Sequence, residues 1–296
     1  MKEKEKNLNK EIAWLKRDKY GLCEIGYRTN KAGLAKDIER LKRGEPLDYV
    51  IGWKDFLGCK IDLSYRPLIP REETEFWVGG VVDRLCEIGS RAPRDTISHN
   101  NAPLKVLDLF AGSGCIGLAV LKNCQNVEVT FADKEENSLK QIKKNLSILI
   151  PTTLERPPKG SSGRFEVIQS DVFNLVASRG QSFERPLKDC PPKALKKFDI
   201  IFANPPYIPI KRQKVQKSVK DWEPHQALYS GVDGLMIIKK FLHEAKKYLN
   251  LEGKIYLEFG YGQKGAIEKL LRQNKYKNWE FHKDQFGKWR WVAITS

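Results

Sequence analysis

A short stretch that ends in two adjacent prolines carries the residues best suited to chemistry in this 296-residue chain. The run 198–203 is apolar and of strand type, and Asn204-Pro205-Pro206-Tyr207 follows it directly. Neither proline has an N–H for a strand ladder, so the strand must end there in a stiff turn. Open α/β sheets bind their ligands at such carboxyl ends. One amide, free backbone carbonyls and one aromatic ring suit a planar substrate group that carries an NH2.

The chemistry that this turn favours is methyl transfer to a nitrogen whose lone pair is delocalised. For an in-line displacement from a sulfonium, a site mainly holds nitrogen, methyl carbon and sulfur collinear. Asn204 Oδ1 and the Pro205 carbonyl can each accept one substrate N–H, and both bind the nitrogen better as it becomes positive. Tyr207 can stack on the planar group. We therefore predict Asn204, Pro205 and Tyr207 as the catalytic residues, and we expect neither a metal ion nor a strong general base.

A glycine-rich loop predicts the cofactor site. It follows the first strand of a strand–helix alternation and opens a helix, and Gly112, Gly114 and Gly117 satisfy G-x-G-x-x-G. Asp133 closes the next strand about 20 residues further on, where an acceptor for a ribose hydroxyl is expected. A dinucleotide-dependent dehydrogenase is therefore a competing interpretation, and a tight turn without any ligand is another.

Asp108 and the proline turn favour a cationic cofactor over a dinucleotide. Asp108 ends the strand just before the loop, so its carboxylate would repel a pyrophosphate and attract a sulfonium with an amino-acid tail. Hydride transfer has no use for the proline turn, whereas S-adenosylmethionine (SAM) fits both features. Asp171 follows the next predicted strand and would accept the exocyclic amine of adenine, with Val172 covering the ring; the alternative for Asp171 is a helix N-cap.

An alternation of strands and helices from residue 104 onward predicts the sheet that positions these residues. Strand patterns cover 104–110, 127–132, 165–169, 198–203, 254–259, 279–283 and 289–294, and helix patterns cover 115–122, 135–149, 233–249 and 264–273. The alternation is typical of a mainly parallel, doubly wound sheet, here of seven strands with an antiparallel pair at its end. Two inserts, 151–163 and about 178–197, interrupt it and predict surface loops.

The first 70 residues predict a smaller unit ahead of a larger domain over 71–296. Helical patterns cover 8–20 and 31–43, and a hairpin over 49–63 is expected to link the two parts. A helix is predicted over 74–88, with Thr74 as its N-cap. Glutamates at its start fit the helix dipole.

Composition constrains the location and the partners. The formal net charge of +16 indicates an anionic partner or surface, such as RNA or a ribosome-associated protein, although a solvated basic surface is the simpler interpretation. Six cysteines without a C-x-x-C pair predict reduced thiols in a cytoplasmic protein. No apolar run is long enough to span a membrane, and the charged start lacks the apolar stretch of a secretory signal. We expect a cytoplasmic monomer.

Several motifs together resemble those of the HemK/PrmC-type protein-glutamine N5-methyltransferases. The resemblance runs from about residue 45 to the end, and it is carried by Ile69-Pro70-Arg71-Glu72-Glu73-Thr74-Glu75, Asp108 to Gly114, Asn204-Pro205-Pro206-Tyr207-Ile208, Glu223-Pro224-His225-Gln226-Ala227-Leu228, Gly231-Val232-Asp233-Gly234-Leu235, Leu257-Glu258-Phe259-Gly260 and Asp284-Gln285-Phe286-Gly287-Lys288-Trp289-Arg290. Asn-Pro-Pro-Tyr alone is weak evidence because adenine-N6 methyltransferases share it. The segments around Pro70 and Glu223 are much more specific.

The resemblance implies a Rossmann-like class I SAM-dependent methyltransferase with a small helical N-terminal domain. Its activity would be methylation of the glutamine of the Gly-Gly-Gln motif in peptide-chain release factors, hence a role in translation termination, and the N-terminal helices would dock the release factor. With the acids argued above, the cofactor-binding residues would be Asp108, Phe110, Ala111, Gly112, Ser113, Gly114, Asp133, Asp171, Val172 and Asn204. The substrate-binding residues would be Asn204, Pro205, Pro206 and Tyr207, with Arg71, Thr74 and Glu75 at the pocket mouth.

Some positions depart from the family pattern. Glu72 stands where a second proline is usual, and Phe110-Ala111 stand where Gly-Thr is usual. The N-terminal helical part is short, and the two inserts enlarge the larger domain. None of these changes removes a predicted catalytic group.

Two further functions stay open at this point. An adenine-N6 methyltransferase acting on RNA or DNA would use the same turn on a flipped base, and the positive charge favours it. Against it, the sequence shows neither a separate target-recognition domain nor a cluster of aromatic and basic residues. A catalytically silent ribosome-binding module is the other alternative, but such a module would not need an intact Asn-Pro-Pro-Tyr turn.

Overall fold

The computed structural model of this protein describes residues 2–21, 31–90, 102–150, 164–176, 196–211 and 215–295. The N-terminal part contains α1 (Lys2–Tyr20), α2 (Lys31–Lys42), α3 (Leu47–Ile51), β1 (Trp53–Phe56) and β2 (Cys59–Asp62). The remainder contains α4 (Glu72–Ser90), β3 (Leu104–Leu109), α5 (Cys115–Asn123), β4 (Val127–Asp133), α6 (Glu136–Leu149), β5 (Phe165–Asp171), β6 (Asn174–Val176), β7 (Phe198–Ala203), α7 (Lys217–Trp222), α8 (Met236–Glu244), β8 (Leu249–Glu258), α9 (Lys264–Gln273), β9 (Asn278–Lys283) and β10 (Trp289–Thr295). Short 3₁₀ turns cover His225–Ala227 and Ala245–Tyr248.

The larger sheet has the strand order β6, β5, β4, β3, β7, β8, β10, β9. Strands β5, β4, β3, β7 and β8 run parallel, whereas β6, β9 and β10 pair antiparallel. This confirms the mainly parallel doubly wound sheet and its seven predicted strands; β6 is an additional short strand at the edge. The chain leaves β3 toward β4 and β5 and later returns to β7 on the other side of β3. The carboxyl ends of β3 and β7 therefore meet at a topological switch point, where sheets of this kind bind ligands.

Apolar side chains alternate between the two faces of the sheet. Val106, Ile200 and Phe202 pack on one face with residues of α4, α5 and α6. Leu107 and Ile201, one position away in the same strands, pack on the other face with residues of α8 and α9. Because successive strand residues point to opposite faces, these continuous apolar runs are what a sheet covered by helices on both sides requires.

The N-terminal helices form a third apolar cluster around Leu15, Leu41, Val50 and Ile51. The two predicted helices are confirmed as α1 and α2. The predicted hairpin is confirmed only over β1 and β2, since Leu47–Ile51 is a short helix that ends at Gly52, whose φ is 98°. The division into units 1–70 and 71–296 stays a prediction.

The hairpin packs into the same apolar cluster as the central sheet. Phe56, Ile61 and Leu63 lie in that cluster and are at most 2% exposed. Side chains of α6 bind its backbone: the Asn145 Oδ1 accepts the Asp62 N–H at 2.8 Å, and the Gln141 Oε1 accepts the Tyr65 N–H at 2.8 Å. The linker is therefore fastened to the larger sheet by both apolar and polar contacts.

Two details of the predicted helices were wrong. Thr74 is not an N-cap, because α4 already begins at Glu72 and the Thr74 hydroxyl donates to Glu258. The helix predicted over 233–249 begins only at Met236, because the Asp233 carboxylate accepts the Leu235 N–H and holds a turn there. The insert 151–163 and residues 178–195 of the second insert lie outside the described residues.

Two further features of the described part of the chain are its lack of a membrane-spanning helix and the state of its cysteines. No helix in it is long and apolar enough to cross a membrane. Its cysteines, Cys59, Cys86, Cys115 and Cys124, are free thiols, of which all but Cys86 are buried.

Candidate functional site

A cavity of about 350 Å³ lies at the carboxyl ends of β3, β4, β5 and β7. Its floor comes from residues that end or follow these strands: Phe110, Ala111, Gly112, Ser113, Asp133, Lys134, Glu135, Ser170, Asp171, Val172, Asn204 and Pro206. Its walls come from the segment 65–71, Thr74, the loop 224–229, and Met236 and Ile237. The volume is within the range of small-molecule sites. The glycine loop and the proline turn, which lie far apart in sequence, thus share one cavity.

The glycine loop is held open by backbone contacts with β4. The Ala111 N–H donates to the Ala132 carbonyl at 3.1 Å, and the Gly112 N–H donates to Asp133 Oδ2 at 2.8 Å. Phe110 has φ 64°, a left-handed conformation that glycine adopts more easily. Gly114, at φ 80°, caps the N-terminus of α5 and is not among the cavity-lining residues.

Asp133 lines the cavity with a carboxylate that the backbone fixes in place. Besides the Gly112 N–H, it accepts the Glu135 N–H on Oδ1 at 2.9 Å. Burial raises its pKa, although both backbone donors oppose the shift. The Ser138 side chain also hydrogen-bonds to this carboxylate, which keeps acceptor capacity for a ligand hydroxyl.

Asp171 and Val172 line the cavity beyond β5. Val172 is buried and has φ 58°, a conformation that is exceptional for a β-branched residue and that marks functional sites. Asp171 is no N-cap, because it ends β5 and the strand β6 begins at Asn174. Its carboxylate lies 3.3 Å from Lys240 Nζ and 3.4 Å from Lys134 Nζ. Partial burial acts to raise the pKa of Asp171, but these two ammonium groups outweigh it and lower the pKa.

Asp108 does not reach the cavity. It is 1% exposed, and its Oδ2 accepts the Gly117 N–H at 2.9 Å. Burial raises its pKa to about 7, and the nearby Asp133 carboxylate adds to the shift. The expected contact with a cationic cofactor is therefore replaced by a contact that ties α5 to β3.

The proline turn presents only part of its predicted surface to the cavity. Asn204 and Pro206 line the cavity, whereas Pro205 and Tyr207 are not among its lining residues. The Tyr207 hydroxyl donates to Glu258 Oε1 at 3.1 Å, and burial raises its pKa. The Asn204 Nδ2 faces the Thr74 hydroxyl oxygen at 3.4 Å.

Glu258 lies beside the site, although it was not predicted as a catalytic or binding residue. It ends β8, is 1% exposed and accepts hydrogen bonds from Thr74 Oγ1 at 2.8 Å, Trp77 Nε1 at 2.8 Å and Tyr207. Burial raises its pKa although these donors and the Arg290 guanidinium oppose the shift. The signal that could have identified it is an acid directly after the apolar run 255–257, on a strand that enters the core.

Of the segment predicted to form the pocket mouth, Arg71 and Thr74 line the cavity and Glu75 does not. The Arg71 guanidinium donates to Glu223 Oε1 at 2.6 Å, and the Ile69 N–H donates to Glu223 Oε2 at 3.2 Å. Glu223 thereby joins two walls of the cavity. Glu75 Oε1 instead accepts the Leu57 N–H of the hairpin turn at 2.8 Å.

Aromatic and basic side chains do cluster on the surface near β10, contrary to the expectation from the sequence. Lys264 Nζ lies 4.4 Å and Lys283 Nζ 5.1 Å from the ring centre of Trp289. Tyr261 and Phe286 are exposed close by in sequence. Within the described ranges, no group of three or more His, Cys, Asp or Glu could hold a metal ion.

Comparisons with known proteins place this cavity in context. A family model described as Conserved hypothetical protein 95 matches residues 94–256. The chain is 33% identical to the release factor glutamine methyltransferase of Thermodesulfovibrio yellowstonii over 84% of this chain and 76% of that protein. It is 34% identical to the release factor glutamine methyltransferase of Francisella tularensis over 83% of this chain and 73% of that protein.

A solved structure supports the fold. The hMettl16 catalytic domain, crystallised in complex with the MAT2A 3'UTR hairpin 6, superimposes with a TM-score of 0.53 and covers 96% of this chain and 92% of that one. At 14% identity the likeness concerns the fold alone. With the strand order, it confirms the Rossmann-like class I methyltransferase fold.

Proposed function

Since this chain belongs to the release factor glutamine methyltransferase family, we propose that it transfers a methyl group from SAM to the glutamine side-chain nitrogen in the Gly-Gly-Gln motif of a peptide-chain release factor. One observation supports this most directly. Asn204, at the end of β7, lines the same cavity as the glycine loop that follows β3. An amide acceptor and a cofactor loop in one cavity are the two parts that nitrogen methylation needs.

The residues of the cavity fit SAM. Asp133 offers carboxylate oxygens for a ribose hydroxyl, and Asp171 offers them for an exocyclic amine. Val172 provides apolar cover for an adenine ring, and the loop 110–113 provides the closely approaching backbone that the amino-acid end requires. When bound, SAM supplies an electrophilic methyl group on a sulfonium.

The residues of the proline turn orient the substrate amide nitrogen and provide a hydrogen-bond acceptor for it. Asn204 Oδ1, which lines the cavity, accepts one amide hydrogen and helps to hold the nitrogen with its lone pair toward the methyl carbon. The Pro205 carbonyl, the other predicted acceptor, belongs to a residue that does not line the cavity. As the nitrogen becomes positive, Asn204 Oδ1 binds it more strongly, which lowers the barrier. The proton leaves after methyl transfer. Glu223 fixes the cavity wall at Ile69 and Arg71 against the loop that follows Glu223.

A labelling experiment tests the proposal. The protein is incubated with radiolabelled SAM and a release factor, its Gly-Gly-Gln→Gly-Gly-Ala variant, or total RNA. We expect label on the wild-type factor and none on the variant. Label on the Gly-Gly-Ala variant or on RNA alone, or no label on any acceptor, would contradict the proposal.

An Asn204→Ala variant tests the role of the turn. We expect at least a 100-fold loss of turnover, because removing one preorganised acceptor costs about 10²–10³. The melting temperature should stay near that of the wild type. Near-normal turnover in this variant would refute the mechanism.

The partners follow from the same proposal. We infer that residues 1–70 dock the release factor, that residues 71–296 carry the catalysis, and that the enzyme acts as a cytoplasmic monomer. The net charge of +16 supports work close to the ribosome or another nucleic-acid surface. Hydrogen exchange of the full chain, with and without the release factor, tests the docking role through protection in α1 and α2.

Adenine-N6 methylation of RNA is the second candidate function. The observation that favours it is the lysine-flanked Trp289 surface, because aromatic rings with nearby cations suit single-stranded nucleic acid. The RNA arm of the labelling experiment distinguishes the two functions.

A further inference from the structure

We propose that Thr74 and Glu258 are positioning residues that hold the Asn204 amide with its oxygen available to the substrate nitrogen. This inference rests on the proposed function, since it assigns how the acceptor of that reaction is oriented. It concerns residues on three separate elements: Thr74 on α4, Glu258 at the end of β8 and Asn204 after β7. The juxtaposition comes from the sheet register, because Ala203 pairs with Leu257, and Asn204 and Glu258 are the next residues of these parallel strands.

The Thr74 hydroxyl uses its hydrogen in a hydrogen bond to Glu258. The Thr74 hydroxyl donates to Glu258 Oε2 at 2.8 Å, and this contact uses its only hydrogen. Trp77 Nε1 donates to the same oxygen, also at 2.8 Å, and the Tyr207 hydroxyl donates to the other oxygen at 3.1 Å. Glu258 thus has a buried donor on each oxygen, and the Thr74 hydrogen is directed away from Asn204.

The Thr74 hydroxyl oxygen in turn orients the Asn204 side-chain amide. With its hydrogen used, the Thr74 oxygen presents only lone pairs to Asn204, 3.4 Å away. The Nδ2 group can donate to these lone pairs, whereas a flipped amide would place Oδ1 against them. The contact is long for a hydrogen bond, so repulsion in the flipped state matters as much as attraction in the observed one. Since the amide is planar, Oδ1 is then turned away from Thr74 and stays free as an acceptor.

Packing holds Trp77, which donates to Glu258, in a fixed position. Trp77 is 2% exposed, and its ring centre lies 5.5 Å from that of Trp291 and 6.0 Å from that of Phe202. Packing on both partners fixes the indole N–H that faces Glu258. The groups that face Glu258 are therefore Thr74 and Trp77 from α4, Tyr207 from the proline turn, and the cationic Arg290 from β10.

The test compares Thr74→Val with Thr74→Ser. Valine keeps the shape and removes the hydroxyl, so the amide loses its orienting acceptor; we expect kcat to fall about tenfold, which corresponds to one hydrogen bond. KM for SAM and for the release factor should stay within about twofold, because valine keeps the shape of the cavity wall at position 74. Serine keeps the hydroxyl and should restore kcat to within about twofold of the wild type.

Thr130→Val is the matched control. Thr130 is a buried threonine of β4 whose hydroxyl contacts Lys196 and not the cavity. It should leave kcat unchanged. A fall in kcat as large as that of Thr74→Val would show that loss of any buried hydroxyl has this effect, and would overturn the proposal.

A spectroscopic readout separates this proposal from the proposed function. With ¹⁵N-labelled asparagine in the full chain, the Asn204 side-chain amide resonance should shift in Thr74→Val and not in Thr130→Val. If the wild type methylates the release factor and Thr74→Val has normal kcat, the positioning role is wrong and the function stands. If the wild type methylates no acceptor, the function is wrong, and an unchanged Asn204 resonance in Thr74→Val would then overturn the positioning role as well.

Discussion

At the scale of single residues, the buried acid Asp108 links β3 to the helix α5. Its pKa of about 7 lies well above the usual 3.8, since burial disfavours the carboxylate. The hydrogen bond from the Gly117 N–H acts in the opposite direction and does not compensate for the burial. The protonation of Asp108 therefore contributes to how the stability of the fold depends on pH.

We expect Asp108→Asn to reduce the dependence of stability on pH. A carboxyl whose pKa is raised in the folded state stabilises the fold fully below its unfolded pKa, and the contribution is lost as the pH rises through about 7. The difference between the two pKa values corresponds to roughly 4 kcal/mol as an order of magnitude. Urea unfolding at pH 5 and pH 8 checks this. Equal pH slopes for the wild type and the variant would show that Asp108 does not titrate in this range.

The sequence identified the candidate residues that belong to continuous motifs and missed those that work across the fold. Asn204, Asp133 and the loop 110–113 stand out because strand ends and glycines mark them locally. Glu258 acts through Thr74 and Trp77, which are 184 and 181 residues away, and no local pattern records such a distance. Asp108 was expected to contact the cofactor, but it does not line the cavity. The sequence shows that it lies at the end of a strand but not which way its side chain points.

At the scale of secondary-structure elements, the close approach of α5 to the sheet depends on one glycine. A Cβ at Gly117 would lie 2.3 Å from the ring of Phe131, which is fully buried in β4. A Cβ at Gly80, an exposed interior position of α4, would meet nothing within 4 Å. Both positions are helical, so they differ in packing rather than in backbone conformation.

We expect opposite effects of alanine at these two glycines. Gly117→Ala should lower the free energy of unfolding by roughly 2–3 kcal/mol, because the ring cannot move aside in a packed core. Gly80→Ala should raise it by about 0.5–1 kcal/mol, because alanine loses less entropy in a helix. Denaturant unfolding of both variants measures this. A neutral Gly117→Ala would mean that α5 can shift away from the sheet.

A buried ion pair fastens the pocket mouth to the loop beyond β7. Glu223 is almost fully buried and Arg71 partly exposed, so removal of Glu223 leaves a partly desolvated guanidinium without its partner. We expect Glu223→Ala to cost roughly 2 kcal/mol and to raise KM for SAM several-fold, because the walls at 67–71 and 224–229 separate. Calorimetry and initial rates provide the measurement. The control is Glu268→Ala, which breaks an exposed i,i+4 pair with Arg272 and should cost less than about 0.5 kcal/mol.

The main elements were predictable because apolar periodicity records burial on a sheet face or a helix stripe. The predicted secondary structure was wrong where a residue outside the apolar pattern determines the local backbone conformation. Residues 49–51 are β-branched or aromatic like a strand, but they form α3 because Gly52 ends a helical turn there. Similarly, the start of α8 depends on Asp233, whose carboxylate competes for a backbone N–H.

At the scale of the whole molecule, the positive charge is the dominant property. A net charge of +16 creates a long-range field that speeds encounter with an acidic partner and is screened by salt. A small substrate without much charge would hardly sense this field. The dependence of methylation on salt should therefore differ between substrates of different size.

We expect KM for an intact release factor to rise several-fold between about 50 mM and about 300 mM salt. KM for a short neutral peptide that contains Gly-Gly-Gln should change little over the same range. Initial rates with both acceptors at saturating SAM provide the comparison. Equal salt dependence for protein and peptide would mean that the field of the molecule plays no part in docking.

The hairpin that joins the N-terminal helices to the sheet has a consequence for substrate choice. Its core contacts and the 2.9 Å ion pair between Lys144 and Asp62 fasten it to the larger sheet. On the proposed docking role of α1 and α2, the span from the docked face to the methylated atom is then constant. A factor whose glutamine loop is a few residues longer or shorter would place that glutamine outside reach, even with an unaltered Gly-Gly-Gln tip. Selection by molecular dimensions, in addition to selection by motif, would spare the many other glutamines of the cell.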